Sequence, residues 1–293
     1  MYTRDDLINF KPSKKYFIGI DSDGCVFDSM EPKHKECFCP VTIEKFGLAP
    51  VSKYAREAWE FVNLYSQDRG CNRFFALQKA FDLLRRRSAV IKRNFHVPEL
   101  KDLEAWTRKE TKLGNPALKA EIEKTQSEEL KRIYDWSLAI NESVERVVVG
   151  VAPFPLVREC LDRLHRNADI VVVSGTPAEA LLREWEEHGI RNDADLIAGQ
   201  EIGSKKEHLQ LAAAGKYESS RSLMIGDAPG DLNAAQANQF RFYPIIPGHE
   251  EESWERFHGE IINLFFEGGY TREMEDRLVR DFHSCLPEKP AWD

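Results

Sequence analysis

Three short apolar segments of this sequence each end abruptly at acidic, glycine or hydroxyl residues. They are YFIGI at 16–20, DIVVV at 169–173 and SLMI at 222–225, and they are followed by DSDG, SGTP and GDAPGD. Apolar runs that are rich in β-formers and lack polar alternation are typical of strands buried on both faces of a parallel sheet. We therefore predict parallel strands that each end in a polar loop.

Amphipathic segments separate these strands. PLVRECLDRLHR precedes the second strand, AEALLREWEEHGI follows it, and LNAAQAN leads to a further short strand, RFYPII. LIAG near Leu196 is another candidate strand. Strands that alternate with helices predict an α/β fold with a doubly wound, Rossmann-like parallel sheet, which binds its ligands beyond the carboxyl ends of the strands.

Residues 31–149 interrupt this alternation. They are rich in Glu, Lys, Arg, Leu and Phe at helical spacing, as in FFALQKAFDLLRRR. We predict a discontinuous core formed by residues 1–30 and 150–293, with an all-helical domain, residues 31–149, inserted after the first strand. Three tryptophans recur in the helical segments of the insert and are expected in its core: Trp59, Trp106 and Trp136.

Composition and charge exclude several classes of protein. Among 293 residues, 49 are acidic and 41 basic, which gives a net charge of -8 and makes a nucleic-acid partner unfavourable. No apolar stretch approaches the roughly 18 to 20 residues that span a bilayer, and the first residues are too acidic for a signal peptide, so we expect a cytoplasmic protein without a membrane partner. Six cysteines without CxxC spacing indicate neither a disulfide framework nor a zinc site.

Four polar clusters follow predicted strands or begin helices, where a doubly wound sheet assembles its site. Taken singly, each has an ordinary structural explanation: a solvated loop, a turn, a surface lysine pair, or a helix cap with a surface acid. Acids at i and i+4 after a strand are also suited to hold a hard cation with oxygen ligands. The clusters are Asp21, Asp23 and Gly24; Ser174, Gly175 and Thr176; Lys205 and Lys206; and Asp227 and Asp231.

In this order, the four clusters resemble the four signature motifs of the haloacid dehalogenase superfamily. FIGIDSDG, VVVSGT, SKKEHL and IGDAPGD are similar to motifs one to four, and the resemblance covers roughly residues 15–30 and 150–245. The insert is similar to the type one helical cap of this superfamily, although it is larger than the common caps. The resemblance implies a phosphatase or phosphomutase.

The resemblance also implies roles for the acidic residues. Asp21 would be the nucleophile that forms an aspartyl-phosphate. Mg²⁺ would be bound by Asp21, the backbone carbonyl of Asp23 and Asp227, with Asp231 holding the ion's waters or positioning Asp227. Asp23 would act as general acid and base, which requires a raised pKa. An acid at this position favours oxygen-linked phosphate over halide or carbon-linked phosphorus.

The remaining motif residues are implied to bind the phosphoryl oxygens. They are Ser174, the amide of Gly175, and Lys205. Lys206 is adjacent and competes for this role. Lys205 is preferred because Leu209, four residues later, then falls where the family's helix turns its first apolar residue inward.

The insert is basic, with 22 Lys and Arg against 18 Asp and Glu, a net charge of +4 that leaves -12 for the remaining residues. Such a cap suits an anionic substrate. We predict that Arg69, Asn72 and Arg73 contact the substrate, although a surface turn between helices is the favoured alternative. Glu31 and His34, just after motif one, could line the entrance or be structural.

The sequence thus predicts a Mg²⁺-dependent phosphatase acting on a small anionic phosphate ester, as a monomer or homodimer. One alternative is a sugar phosphomutase with the same motifs, which returns the phosphoryl group to a sugar. Another is a non-catalytic ligand-binding protein that kept the fold. The intact motif residues argue against this last hypothesis.

Overall fold

The computed structural model describes residues 2–292, and these form two compact units. The first comprises residues 2–30 and 150–286, and the second comprises 31–149 and 287–292. Residues 287–292 differ from the predicted division, which placed them in the core. They group with the second unit because Trp292 packs there, with its ring centroid 5.8 Å from that of Phe61.

The first unit is built on a five-stranded parallel sheet with the order β3-β2-β1-β4-β5. Four of the five strands are buried at every position, which matches their continuous apolar sequences. The chain forms β1 first, then β2 and β3 on one side of it, and finally β4 and β5 on the other side. The strands are β1 (Tyr16–Ile20), β2 (Ala168–Val173), β3 (Leu196–Ala198), β4 (Ser222–Gly226) and β5 (Arg241–Pro244).

Glycine is required at the centre of β1 by a close approach. A Cβ at Gly19 would lie 2.5 Å from Leu209 Cδ2, on the helix that covers this face. Leu209 is fully buried, as the sequence predicted for the first inward-facing residue of that helix. This contact seats the helix that carries Lys205 directly on the central strand.

Helices cover both faces of the sheet, and two separate apolar clusters form against it. This is the doubly wound α/β arrangement that the sequence predicted. The helical segments between Glu250 and Ser284 also pack in this unit. The helices of the unit are Arg4–Asn9, Val157–His165, Ala178–Glu187, Lys205–Ala213, Pro229–Ala237, Glu250–Arg256, Phe257–Ile261, Ile262–Glu267 and Arg272–Ser284.

The described residues of the second unit form helices and loops around a single apolar core. Trp59, Trp106 and Trp136 are each at most 1% exposed, which confirms the prediction that they lie in this core. From the boundary at Met30 onward, the helices are Met30–Pro32, Lys33–Phe38, Cys39–Lys45, Ser52–Leu64, Arg73–Arg86, Ser88–Ile91, Lys101–Lys109, Asn115–Thr125 and Glu128–Val147. No helix within residues 2–292 is long and apolar enough to cross a membrane.

Candidate active site

The polar loops after β1, β2 and β4 lie at one edge of the sheet, because the carboxyl ends of parallel strands face the same way. β1 lies between β2 and β4, so the strand order reverses beside β1. Doubly wound sheets bind ligands at such a switch point. Asp21, Ser174 and Asp227 each stand one residue beyond the end of one of these strands.

The loop after β1 is a tight turn that fixes Asp21. The amide of Asp21 donates to the carbonyl of Ile225 on β4 at 3.0 Å, and the amide of Gly24 donates to Phe27 at 2.8 Å. Gly24 has a φ of 75°, in the left-handed region that glycine adopts without steric cost. The indole of Trp185 donates to Ser22 Oγ at 3.0 Å, and this hydrogen bond also holds the loop in place.

Three carboxylates converge beyond β1 and β4. One oxygen from each of Asp21, Asp227 and Asp231 lies within 4.8 Å of the other two, and these residues are at most 4% exposed. The sequence predicted this convergence from the i, i+4 spacing of the two later acids and from parallel strand ends. Without a cation, three buried acids this close together repel one another.

Asp231 is held at the start of helix Pro229–Ala237. Its Oδ2 accepts a hydrogen bond from the amide of Ala228 at 3.0 Å, where the helix dipole favours an acid. Gly226 leaves room for this side chain, since a Cβ there would lie 2.4 Å from Asp231 Cγ. The glycine that ends β4 is therefore a requirement of the site.

Lys205 is the cation of the cluster. Its Nζ lies 2.6 Å from Asp21 Oδ2 and 2.6 Å from Asp231 Oδ1. Lys206 is exposed on the same helix, so geometry distinguishes the two lysines. A cation in the first turn opposes the helix dipole, and the neighbouring carboxylates supply the compensating attraction.

Burial and mutual charge shift the pKa values of this cluster. Burial raises the pKa of Asp21 to about 6, with Lys205 opposing the shift and Asp227 reinforcing it. Burial also raises the pKa of Asp231, again against the attraction of Lys205. For Lys205, burial disfavours the charged form, but Asp21, Asp231 and Asp227 outweigh it and hold the pKa above its usual value.

Asp23 is joined to the loop after β2 by a hydroxyl. Thr176 Oγ1 donates to Asp23 Oδ2 at 2.7 Å, and Ser29 Oγ donates to the other carboxylate oxygen. Ser174 is buried and its amide donates to Ala198 on β3 at 3.0 Å. The sequence singled out Thr176 with Ser174 and Gly175 but assigned its side chain no role, and it overlooked Ser29.

The three predicted substrate residues of the second unit have partners within that unit. Arg69 is buried and donates to the carbonyl of Leu64 at 3.0 Å, while Asn72 Oδ1 accepts the amide of Phe74 and begins helix Arg73–Arg86. Arg73 Nη1 donates to Asn141 Oδ1 at 2.8 Å, and burial lowers its pKa to about 10. Arg69 is buried and Arg73 begins a helix, so the three residues do not form a simple surface turn, and a role in substrate binding stays a prediction.

Glu31 and His34 also have contacts inside the second unit. Trp59 Nε1 donates to His34 Nδ1 at 3.2 Å, and the Tyr65 hydroxyl donates to Glu31. Lys35 forms an ion pair with the same Glu31 carboxylate. These interactions are consistent with the structural interpretation of both residues.

The doubly wound sheet and the carboxylate and lysine cluster at its switch point define an α/β protein with an enzyme-like acidic site. A sequence model of the haloacid dehalogenase-like hydrolase family matches residues 86–245. The match spans more than half of the chain, and the chain therefore belongs to this family of hydrolases. The match confirms the resemblance found in the motifs. No curated protein matches the sequence significantly.

Solved structures with low sequence identity also match. A "predicted phosphoglycolate phosphatase" from Haemophilus somnus is 14% identical over 78% of this chain and 84% of its own, with a TM-score of 0.48. A hydrolase from Pseudomonas syringae is 15% identical over 83% and 90%, with a TM-score of 0.48. A haloacid dehalogenase-like family hydrolase from Xanthomonas campestris is 14% identical over 89% and 97%, with a TM-score of 0.46. None of these similarities bears on the substrate of this chain.

Proposed function

We propose that this protein is a Mg²⁺-dependent phosphatase that hydrolyses a small phosphorylated metabolite through an aspartyl-phosphate on Asp21. The supporting observation is the buried cluster of Asp21, Asp227 and Asp231, with Lys205 Nζ 2.6 Å from two of these acids. A lysine and a cation site around one buried carboxylate suit an anionic substrate that the acids alone would repel.

The residues of the cluster fit a divalent cation. Carboxylate oxygens are the ligands that Mg²⁺ prefers. Asp21 Oδ1 is buried and accepts no hydrogen bond from any residue within 2–292, so it is available as a ligand. In this proposal Asp21, Asp227 and the carbonyl of Asp23 hold the ion, and Asp231 orients the cluster through Lys205. A bound ion would offset the repulsion between the carboxylate nucleophile and a phosphate.

The side chains of the site divide the reaction into two displacements. A carboxylate oxygen of Asp21 attacks phosphorus, and Asp23 donates a proton to the departing oxygen. Asp23 then accepts a proton from the water that cleaves the aspartyl-phosphate and restores Asp21. Lys205, Ser174 and the amide of Gly175 stabilise the negative charge on the phosphoryl oxygens throughout.

The nucleophile is tested by Asp21→Asn, assayed for release of inorganic phosphate from p-nitrophenyl phosphate with Mg²⁺. We expect a loss of at least about a thousand-fold, since the covalent step is removed. Asp5→Asn, at an exposed acid near the start of the chain, is the matched control. Undiminished Mg²⁺-dependent turnover by Asp21→Asn would refute the assignment of the nucleophile, and equal turnover with excess EDTA would refute the metal requirement.

A sugar phosphomutase would share the residues of this cluster. The two activities differ in the acceptor, which is water for a phosphatase and a sugar phosphate hydroxyl for a mutase. Incubation with hexose phosphates and a bisphosphate primer separates them by product. We expect inorganic phosphate, and conversion to an isomeric sugar phosphate without phosphate release would favour the mutase.

A further inference from the structure

The contact between Thr176 and Asp23 is a feature of the site that the proposed mechanism does not yet use. Thr176 Oγ1 lies 2.7 Å from Asp23 Oδ2, within the range of a hydrogen bond from a hydroxyl to a carboxylate. The two residues are 153 positions apart in the sequence. They meet because β1 and β2 are neighbours in the sheet and their loops lie at the same edge.

Thr176 is itself fixed at its backbone. Its amide donates to Ser174 Oγ at 3.2 Å, and its carbonyl accepts the amide of Gln200 at 3.1 Å. A β-branched side chain has few rotamers once its backbone is fixed. The Oγ1 atom therefore has a defined position relative to the loop that carries Asp23.

We propose that Thr176 is a positioning residue that keeps the Asp23 carboxyl group in place through both protonation states. This inference rests on the proposed phosphatase function. A hydroxyl can donate a hydrogen bond to an ionised carboxylate and also to the carbonyl oxygen of a carboxylic acid. Thr176 can thus donate to Asp23 Oδ2 when Asp23 is ionised and when it carries its proton on Oδ1, which leaves that proton free for the leaving oxygen.

The two proton transfers of the reaction require the Asp23 carboxyl group to keep the same position. In the first step, the acid proton of Asp23 passes to the leaving oxygen as the Asp21 oxygen bonds to phosphorus and the ester P–O bond breaks. In the second step, Asp23 removes a proton from water as the water oxygen bonds to phosphorus and the Asp21 carboxylate leaves. A carboxyl group that rotated between the steps would lose part of the contribution of general acid catalysis, which is about 10²- to 10⁴-fold.

The dependence on the leaving group separates this role from a purely structural one. Phenyl phosphate and p-nitrophenyl phosphate have similar shapes, but phenolate is the more basic leaving group and needs protonation more. Thr176→Val removes the hydroxyl at nearly constant volume, and Thr176→Ser retains it. Kinetic constants of both variants and the wild type are measured on both esters with Mg²⁺, and a thermal unfolding curve checks the fold of each.

We expect Thr176→Val to lower kcat/KM on phenyl phosphate about ten-fold more than on p-nitrophenyl phosphate, because kcat/KM reports the step in which the leaving group departs. Thr176→Ser should stay within about three-fold of the wild type on both esters, because it keeps the donor. An equal loss of kcat/KM on both esters, or a Ser variant as impaired as the Val variant, would overturn the inference. Failure of the wild type to hydrolyse either ester would instead overturn the proposed function, and this inference with it.

Discussion

Lys205 Nζ lies 2.6 Å from Asp231 Oδ1, although the two residues lie in the first turns of different helices. Asp231 is fully buried, and Lys205 is the cation in contact with it. The same Nζ is 2.6 Å from Asp21, so a single ammonium group links the acids that follow β1 and β4. The stability of the site and its proposed chemistry consequently depend on one lysine.

Replacement of this lysine should impair both properties. Lys205→Ala leaves buried carboxylates without their partner, and breaking a buried ion pair costs about 3–5 kcal/mol. We expect an unfolding free energy lower by about this amount in EDTA, partly restored by Mg²⁺, and phosphatase activity at least about a hundred-fold lower. Lys206→Ala is the matched control and should behave as the wild type. Equal effects of the two substitutions in denaturation and activity assays would contradict the assignment of Lys205.

Gly226 is expected to tolerate no side chain. In Gly226→Ala the new Cβ would lie 2.4 Å from Asp231 Cγ, so the carboxylate must move away from Lys205. We expect a loss of about 1–3 kcal/mol in unfolding free energy, typical of overpacking, together with weaker Mg²⁺ stabilisation in thermal unfolding. In Gly230→Ala, four residues later, the Cβ would meet no atom of residues 2–292 within 4 Å apart from its chain neighbours and the nearby backbone of its own helix, and little change is expected. Similar behaviour of the two variants would argue against the steric explanation.

His208 should make the protein sensitive to acid. Burial, reinforced by the charge of Lys205, lowers the pKa of His208 to about 4. An unfolded histidine titrates near ~6.5, so below that pH the unfolded chain binds a proton that the folded chain excludes. The folded state is therefore most stable, with respect to this histidine, above about pH 6.5, and it loses stability as the pH falls toward about 4. The total loss in unfolding free energy is at most about 3 kcal/mol.

His208→Leu is expected to reduce this loss. Unfolding free energies at several pH values between 7 and 4 should show the variant gaining stability relative to the wild type as the pH falls. His283→Leu, at an exposed position, is the control. A constant difference between wild type and His208→Leu across this pH range would show that the buried imidazole does not cause the sensitivity.

Trp292 is expected to stabilise the second unit. Its ring packs 5.8 Å from that of Phe61, and the guanidinium of Arg87 lies 4.2 Å from its ring centroid. Because Trp292 is only partly buried, Trp292→Ala should cost about 2 kcal/mol, below the ~3–5 kcal/mol typical of a fully buried aromatic residue. Denaturant titration provides the measurement, with Glu288→Ala at an exposed position of the same segment as control. A cost for Trp292→Ala no greater than that for Glu288→Ala would show that this packing contributes no stability.

The sequence by itself determined the strands, most helices and the composition of the acidic site. Apolar runs of five or six residues such as YFIGI and DIVVV permit little else than buried parallel strands, and the polar residue after each run must then lie at the same edge of the sheet. The convergence of Asp21, Asp227 and Asp231 follows from that geometry. The inward position of Leu209 was implied by the resemblance of SKKEHL to motif three, and Leu209 is fully buried.

The tertiary structure decided what depends on contacts between distant segments. The resemblance favoured Lys205 over its neighbour Lys206, but the contacts of the Lys205 side chain with Asp21 and Asp231 appear only in the tertiary structure. Neither the hydrogen bond from Thr176 to Asp23 nor the packing of Trp292 leaves a local pattern in the sequence. The physical reason is that backbone propensity and burial act over a few neighbouring residues, whereas the partner of a polar or aromatic side chain is fixed only when remote segments pack together.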